Sequence, residues 1–266
     1  MEKELFKKND SINLYHFKIK VPIKMKNNYI SKKKDLILKL LILIIIIIFF
    51  LKASFLFKYK EKIPMYLEKK LKELQNPSIK RTLPKGIKFK PYMENKEIKA
   101  FLSFMKPNLT YFEFGSGGST NVASYYKLKV FSVESDVFWH NELKKNKINA
   151  TYITIDLKTQ FWGYPGNDTT VEDWKRYFQA YKSEYKADII FIDGRFRVIC
   201  GLDIFPKIRN DTLVLVHDYN RTIYHILEKY YIKVRKWGNL CAFFKNPNIT
   251  IIPKNVYNKY IYNKYL

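Results

Sequence analysis

The chain has 266 residues, which is enough for one core of ordinary size or for one core plus an appendage. Its formal net charge of +25 is weak evidence for a nucleic-acid partner, because 42 of the 49 basic residues are Lys in a composition also rich in Ile, Asn, Tyr and Phe, as an AT-rich genome encodes. Two cysteines, Cys200 and Cys241, exclude a disulfide framework and a cysteine zinc site, and we expect both to be small buried residues.

The first strong signal along the chain is an apolar segment at residues 36–57, LILKLLILIIIIIFFLKASFLF. Its uninterrupted apolar core is shorter than the roughly 20 residues that cross a bilayer, but Lys39 and Lys52 can extend to the interface. We therefore expect a transmembrane helix and a single-pass membrane protein. A cleaved signal peptide and a buried helix are the alternatives; the segment lacks a cleavage pattern and a polar face. Lysines are nearly balanced on its two sides, so the orientation stays open.

Lysine and proline are frequent after this segment, which is typical of a stalk or linker. The predicted organisation is a basic N-terminal tail (1–35), the transmembrane helix (36–57), a stalk (58–90), a folded domain (91–245) and a C-terminal tail (246–266).

Strand and helix patterns alternate from residue 93 onwards. The predicted strands are residues 109–114, 129–134, 151–156, 187–193 and 212–218, followed by a hairpin of 232–237 with 240–245. The predicted helices are residues 93–105, 119–127, 137–146, 171–183, 196–208 and 222–231. This alternation indicates an α/β, Rossmann-like fold: a mostly parallel, doubly wound sheet with a C-terminal antiparallel hairpin.

Each of the first five predicted strands ends in or next to an acid. These acids are Glu113, Glu134, Asp156, Asp193 and Asp218. Ligands of such sheets bind outside the carboxyl ends of the strands, where the strand order reverses. We therefore expect the acids to surround one pocket.

The first strand leads into a glycine-rich turn, EFGSGGST, at residues 113–120. Gly115 would allow the tight turn, and Gly117 and Gly118 would let a cofactor approach the backbone. Glu113, directly before the turn, would repel a pyrophosphate and favour a cationic cofactor. A plain connection between strand and helix is the alternative.

These features resemble the class I S-adenosylmethionine-dependent methyltransferases, whose first motif is a strand, an acid and a glycine-rich turn, and whose second is an acid after the next strand, here Glu134. The resemblance covers about residues 91–245, and it looks closest to a little-characterised branch. The four motifs of that branch, E-x-G-x-G-G-S-T, W-G-Y-P, D-G-R-F-R-V and V-H-D, match residues 113–120, 162–165, 193–198 and 216–218. The first motif departs from the commoner G-x-G-x-G by placing Gly117 beside Gly118.

The resemblance implies that S-adenosylmethionine is the cofactor. It assigns cofactor contacts to Glu113, Gly115, Ser116, Gly117, Gly118, Glu134, Asp156 and Asp193. For Glu134 and Asp156 the alternative is an exposed acid that only caps a helix or ends a loop.

Asp193 and Asp218 end two strands that are neighbours in this topology, so their carboxyl groups could share a proton or bind a divalent cation. Some similar methyltransferases hold magnesium here, but Arg195 stands where those sites often have another acid and could replace the ion. We therefore expect no metal. His217 is the first candidate for a general base and Asp218 is its rival; a hydrogen-bonded structural histidine is the alternative.

Arg195, Arg197 and Arg221 lie in or beside these motifs, and arginine binds carboxylate or phosphate groups through two points. Salt bridges to the acids at the strand ends are the alternative, which is favoured for Arg197 and Arg221. The predicted catalytic set is Asp193, Arg195, His217 and Asp218.

The resulting hypothesis is a membrane-anchored enzyme that methylates a hydroxyl group of a small anionic or glycan-like acceptor. A non-catalytic binding module on the same fold and a basic RNA methyltransferase are the alternatives. The sequence gives no indication of the oligomeric state.

Overall fold

The computed structural model describes residues 12–14, 17–19, 37–49 and 65–263. The chain divides into two units, residues 1–62 and residues 63–266.

The first unit contains an antiparallel hairpin and a short helix. Strands β1 (Ile12–Leu14) and β2 (Phe17–Ile19) pair so that Ile12 lies opposite Ile19. Helix α1 spans residues 37–49, and the other residues of the predicted membrane segment lie outside the described residues.

The structure corrects the predicted transmembrane helix and membrane location. Within the described residues, no helix combines the length and the apolar character that crossing a membrane requires.

The second unit is built from alternating helices and strands. Its helices are α2 (65–74), α3 (Asn95–Ser103), α4 (Gly118–Tyr125), α5 (Val137–Lys145), α6 (Val171–Phe178), α7 (Arg197–Ile204) and α8 (Lys254–Ile261). Its strands are β3 (Thr110–Phe114), β4 (Lys129–Glu134), β5 (Thr151–Thr154), β6 (Ile189–Ile192), β7 (Leu213–Val216), β8 (Tyr231–Trp237) and β9 (Leu240–Lys245).

These seven strands form one sheet in the order β5-β4-β3-β6-β7-β9-β8. The first five strands in this order pair in parallel, and β9 pairs antiparallel with both β7 and β8. The predicted Rossmann-like sheet with its C-terminal hairpin is confirmed, with the antiparallel strand lying inside the sheet rather than at its edge. The strand order reverses between β3 and β6, so the ends of these two strands mark the expected ligand site.

Alternate residues of the central strands enter two separate cores, as the period of two in a strand requires. On β6, Ile189 and Phe191 face one core, whereas Ile190 and Ile192 face the other. All four side chains are fully buried. Continuous apolar strands of this kind need helices on both faces of the sheet, and the chain supplies them.

Two segments assigned by the sequence to a stalk and a tail contribute to these cores. Helix α2 buries Leu67, Leu71 and Leu74 on one face, and α8 buries Tyr260 and Ile261 on the other. Their apolar residues recur at intervals of one to four positions, too short a pattern to be distinguished from the surrounding lysine-rich sequence.

The predicted helix at residues 222–231 is a 3-10 helix over Thr222–Lys229. Tyr224 and Leu227, three positions apart, are its buried residues. Residues at this spacing lie on one side of a 3-10 helix, which has three residues per turn.

Candidate functional site

The glycine-rich turn connects β3 to α4, and two of its three glycines are required by the packing of the protein itself. Gly115 has a φ of +94°, and a Cβ atom there would lie 2.6 Å from Cα of Gly194. A Cβ atom on Gly118 would lie 2.3 Å from the backbone of Lys90. For Gly117 the nearest such atom is Nε1 of Trp139, at 3.8 Å. Of the three glycines, Gly117 is therefore the one that leaves open space beside the backbone.

Glu113 lies beneath this turn with no exposed surface. Its carboxylate accepts hydrogen bonds from the hydroxyls of Tyr111 (2.9 Å), Ser119 (2.7 Å) and Ser132 (2.7 Å), and from Thr120. Burial raises the pKa of Glu113 to about 7, although the four hydroxyls oppose the shift. The side chain thus holds the turn from below and lies inside the protein rather than on a cavity wall, so direct contact with a cofactor would require it to move.

Glu134 ends β4 and lies on the other side of the turn. Its carboxylate accepts hydrogen bonds from the backbone N–H groups of Ser116 (3.0 Å), Ser135 (2.7 Å) and Asp136 (2.8 Å). Burial raises the pKa of Glu134 to about 7, against the effect of these three donors. The Glu134 side chain therefore fixes the backbone of the turn and also borders a cavity.

We call this space, of about 220 Å³, the turn cavity. Its walls include Gly115, Ser116, Glu134, Trp139, Asp193 and Arg195. The turn cavity therefore opens at the carboxyl ends of β3, β4 and β6, where the strand order reverses.

Trp139 is a wall residue that no sequence motif indicates. It lies on α5, donates from Nε1 to the carbonyl oxygen of Ser116 (2.9 Å), and packs edge-on against Phe89 with ring centroids 5.0 Å apart. Asp136 caps this helix by accepting a hydrogen bond from the Trp139 amide (3.0 Å). The only sequence signal was an Asp directly before an aromatic-rich helix.

A second cavity adjoins the first, and we call it the arginine cavity. It has a volume of about 510 Å³, and its walls include Tyr92, Tyr164, Arg195, Asp193, Asp218 and Arg221. Asp193 and Arg195 border both cavities. A third space of about 350 Å³ shares Tyr92, His217 and Asp218 with the arginine cavity.

Arg197 joins the ends of β6 and β7 from beneath the arginine cavity. It donates to the carbonyl oxygens of Gly194 (3.0 Å), His217 (2.9 Å) and Asp193 (3.0 Å). It also forms ion pairs with Asp193 (3.1 Å) and Asp218 (3.0 Å). These five contacts match the five N–H donors of a guanidinium group, so the structure assigns Arg197 to the salt-bridge alternative.

The same arrangement places a cation between the two strand-end carboxylates. The guanidinium of Arg197, not Arg195, bridges Asp193 and Asp218. Within the described residues, no group of three or more His, Cys, Asp or Glu side chains is arranged to hold a metal ion.

His217 lies between two carboxylates. Its Nδ1 is 3.0 Å from Oδ1 of Asp193, and its Nε2 is 3.3 Å from Oε2 of Glu97. Burial acts to lower the pKa of His217, but the carboxylates outweigh it and raise the pKa above its ordinary value. Both ring nitrogens face acceptors, so the protonated form donates from both. This geometry favours the structural alternative for His217 over the predicted role of general base.

Glu97, the partner of His217, was not identified from the sequence. It is fully buried in the first turn of α3, and it also accepts hydrogen bonds from the backbone amides of Glu94 (2.8 Å) and Asn239. Asn239 lies in the turn between β8 and β9. Glu97 therefore connects three distant segments, and the sequence offered only the E-x-x-E spacing of a helix start.

Asp193 and Asp218 are partly exposed beside these buried groups. Burial acts to raise the pKa of Asp193, but Arg197 and His217 outweigh it and hold the pKa below its ordinary value. Asp218 lies 3.4 Å from Arg221 and has a left-handed backbone with a φ of +55°. Asp193 and Asp218 therefore border the arginine cavity while each is paired with an arginine.

Of the predicted residues Arg195 and Asp156, only Arg195 lies on the walls of these two cavities. The Arg195 guanidinium lies over the ring of Tyr164, 4.2 Å from its centroid, and burial lowers the pKa of Arg195. Asp156 pairs with Lys158, which lowers the pKa of Asp156, and it is not on the wall of the turn cavity. The structure therefore brings together the predicted residues Gly115, Ser116, Glu134, Asp193, Arg195, His217 and Asp218. The other predicted residues, Glu113, Gly117, Gly118 and Asp156, are not on the walls of these two cavities.

The buried carboxyls predict a pH-dependent stability. The pKa of Glu113 and of Glu134 is about 7 in the folded chain, against an ordinary value of 4.5. Between these values the folded state binds more protons than the unfolded state, so the free energy of unfolding falls as the pH rises. Between about pH 5.5 and pH 8, we expect the free energy of unfolding to fall in both proteins. The fall should be about 1–3 kcal/mol smaller in Glu113→Gln than in the wild type.

Urea unfolding at both pH values measures this difference. The contribution of His217, whose raised pKa also lowers stability as the pH rises, is common to both proteins and cancels. Equal pH dependence of the two proteins would show that Glu113 does not titrate in this range.

No protein-family model and no curated protein matches this chain. Among solved structures, a methyltransferase-like protein from Silicibacter pomeroyi matches with 27% identity and a TM-score of 0.55, over 66% of this chain and 98% of that protein. The precorrin-6y C5,15-methyltransferase from Geobacter metallireducens matches with 14% identity and a TM-score of 0.35, over 62% and 94% of the two chains. The MycE methyltransferase of mycinamycin biosynthesis, solved with Mg and SAH, matches with 15% identity and a TM-score of 0.33, over 56% and 45%.

The fold assignment rests on the match to the Silicibacter pomeroyi protein, since that protein is matched along nearly its whole length. Together with the seven-stranded sheet, it gives this chain a class I methyltransferase-like fold.

Proposed function

We propose that this chain, with its class I methyltransferase-like fold, uses S-adenosylmethionine to methylate an oxygen atom of an anionic or glycan-like acceptor. One observation carries the proposal: the turn cavity and the arginine cavity adjoin at the carboxyl edge of the sheet and share Asp193 and Arg195. Group transfer needs a donor and an acceptor held in contact, and two cavities with a common wall supply that arrangement.

The residues of the turn cavity fit such a cofactor. When bound, S-adenosylmethionine supplies a methyl group on a positively charged sulfur. A carboxylate can accept about four hydrogen bonds, and Glu134 accepts three from backbone amides, which leaves capacity for a ribose hydroxyl. Asp136 and Asp193 add negative charge to the cavity wall. This acidic wall suits a cationic donor and opposes the pyrophosphate of a dinucleotide.

An aromatic wall supports the same assignment. The ring of Trp139 is fixed by its bond to Ser116 and its contact with Phe89. A fixed indole beside the cavity provides a stacking surface for a purine base.

The arginine cavity suits an anionic acceptor. Arg197 is fully engaged with its two carboxylates, so Arg195 and Arg221 supply the additional positive charge on the wall. Arginine binds carboxylate and phosphate groups in two-point fashion. Tyr92, a residue that is 92% exposed, and Tyr164 provide aromatic surfaces of the kind that pack on sugar rings.

Asp218 is the proposed proton acceptor, since both ring nitrogens of His217 face carboxylates. Its carboxylate is oriented by Arg197 and Arg221 and borders the arginine cavity. It would accept the hydrogen bond of the acceptor hydroxyl and take the proton as the bond from the methyl carbon to sulfur breaks and its bond to oxygen forms, which would leave a neutral thioether. His217 would hold Asp193 in place between the two cavities. Most of the rate would come from alignment of the two ligands.

Transfer of a radiolabelled methyl group tests the proposed reaction. The full chain would be incubated with methyl-labelled S-adenosylmethionine and, in separate samples, uronic-acid oligosaccharides, neutral oligosaccharides and RNA. We expect label in the acidic saccharides, and we expect Arg221→Ala to raise their KM about tenfold. Label in RNA alone, or an unchanged KM, would contradict the proposed acceptor class. No transfer with intact cofactor binding would favour the non-catalytic module.

A further inference from the structure

Tyr177 places a buried polar atom at the floor of the turn cavity. It lies on α6, its side chain has no exposed surface, and its hydroxyl oxygen has no hydrogen-bond partner within the described residues. A buried hydroxyl without a partner costs about 1–3 kcal/mol. Such a group in a folded protein calls for a partner that is absent from the protein itself.

The surroundings of the hydroxyl hold it in a fixed position. The ring of Tyr177 packs against Phe114 and Phe196, each with centroids 5.9 Å away. A Cβ atom on Gly194 would lie 2.1 Å from the hydroxyl oxygen, so glycine at this position makes room for it.

The backbone N–H of Arg195 lies near the hydroxyl oxygen of Tyr177, but it cannot accept the hydroxyl proton. Burial raises the pKa of Tyr177 well above its ordinary value, and the backbone amide of Arg195 slightly offsets this effect without meeting hydrogen-bond geometry. An amide N–H is a donor, so it offers no acceptor for the tyrosine O–H.

The wall of the turn cavity thus carries two kinds of polar group. Glu134 and Asp136 present acceptors that suit hydroxyl groups, whereas Tyr177 and Arg195 present donors that suit an anion. An adenosyl amino acid has the complementary pattern, with ribose hydroxyls at one end and a carboxylate at the other.

We propose that the hydroxyl of Tyr177 donates a hydrogen bond to the amino-acid carboxylate of the bound cofactor, beside Arg195. This inference rests on the proposed function. It makes Tyr177 a cofactor-binding residue that neither the glycine-rich turn nor the strand-end acids indicate.

Titration calorimetry on the full chain with two probes tests this contact. S-adenosylhomocysteine carries the carboxylate, whereas 5′-methylthioadenosine keeps the adenosyl thioether and lacks the amino-acid group. We expect Tyr177→Phe to weaken S-adenosylhomocysteine binding about tenfold and to leave 5′-methylthioadenosine binding unchanged. Because no partner is lost, the unliganded variant should unfold at the same temperature as the wild type or higher.

Tyr231→Phe is the matched control, because the Tyr231 hydroxyl is buried and donates to the carbonyl oxygen of Gly201 (2.5 Å). We expect that variant to unfold at a lower temperature and to keep its affinity for both probes. Equal affinity of Tyr177→Phe and wild type for S-adenosylhomocysteine would overturn the inference, as would equal weakening for both probes. Failure of the wild type to bind S-adenosylhomocysteine would instead contradict the proposed function.

Discussion

Arg197→Met is expected to lower the free energy of unfolding by about 3–5 kcal/mol, because removing one partner of a buried ion pair leaves the remaining charges uncompensated. Arg197 is 8% exposed and forms ion pairs with Asp193 and Asp218 at 3.1 and 3.0 Å. Its three bonds to backbone carbonyl oxygens would be lost as well. Methionine keeps an unbranched apolar stem in place of the arginine methylenes, so the change removes chiefly the guanidinium.

Urea unfolding of this variant should be compared with that of Arg221→Met. Arg221 also pairs with Asp218, at 3.4 Å, but its side chain is 54% exposed. Exposed ion pairs contribute about 0–1 kcal/mol, so this control should unfold almost like the wild type. Similar losses for the two variants would show that Arg197 does not hold the strand ends together.

Gly118→Ala is expected to destabilise the protein by about 2–3 kcal/mol, whereas Gly117→Ala should stay within about 1 kcal/mol of the wild type. A Cβ atom on Gly118 would meet the backbone of Lys90 and Pro91, in both cases at 2.3 Å. Backbone atoms cannot move aside as a flexible side chain can. At Gly117 the nearest atom is 3.8 Å away, and its φ of 167° is extended backbone that alanine also adopts.

Thermal unfolding measures this pair of variants directly, since both carry the same substitution at adjacent positions. For a domain of this size, the Gly118 variant should unfold about 4–12 °C below the wild type. Equal unfolding temperatures for the two variants would indicate that the segment at residues 90–91 does not lie against the turn.

The sheet was predictable because it depends on local patterns. Alternating apolar strands and helices fixed the class of fold, and the acids after each strand indicated the edge where the cavities lie. Glu134 and Asp193 were found in this way, since both stand at the ends of strands that are neighbours of β3. The apolar segment at residues 36–57 predicts a transmembrane helix, but no helix within the described residues can cross a membrane, since hydropathy reports the composition of a segment and not the helix that it forms.

The other site features depend on contacts between distant parts of the chain. Gly118 meets Lys90, and Glu97 meets His217 across 120 residues. The glycine-rich turn could therefore be recognised, but the sequence could not show that Gly115 and Gly118 serve packing within the protein. Tyr177 lies in an ordinary amphipathic helix, and only the fold places its hydroxyl against Gly194.

The roles of the charged residues were also set by geometry. His217 is the first candidate for a general base in the sequence, but each of its ring nitrogens lies against a carboxylate, Nδ1 against Asp193 and Nε2 against Glu97. The sequence indicates that Arg195 could replace a metal ion between two acids, and in the structure Arg197 is the arginine that lies between them. Arg195 and Arg197 lie two positions apart in one motif, yet Arg195 contacts Tyr164 whereas Arg197 contacts Asp193 and Asp218.

Calorimetric titration of the full wild-type chain with S-adenosylhomocysteine, with NAD⁺ as the comparison, tests the central claim most directly. The acidic wall of the turn cavity predicts saturable binding of S-adenosylhomocysteine with a Kd below about 100 μM and much weaker binding of the dinucleotide. Absence of heat at about 1 mM S-adenosylhomocysteine in a folded sample, or equal binding of NAD⁺, would contradict the account.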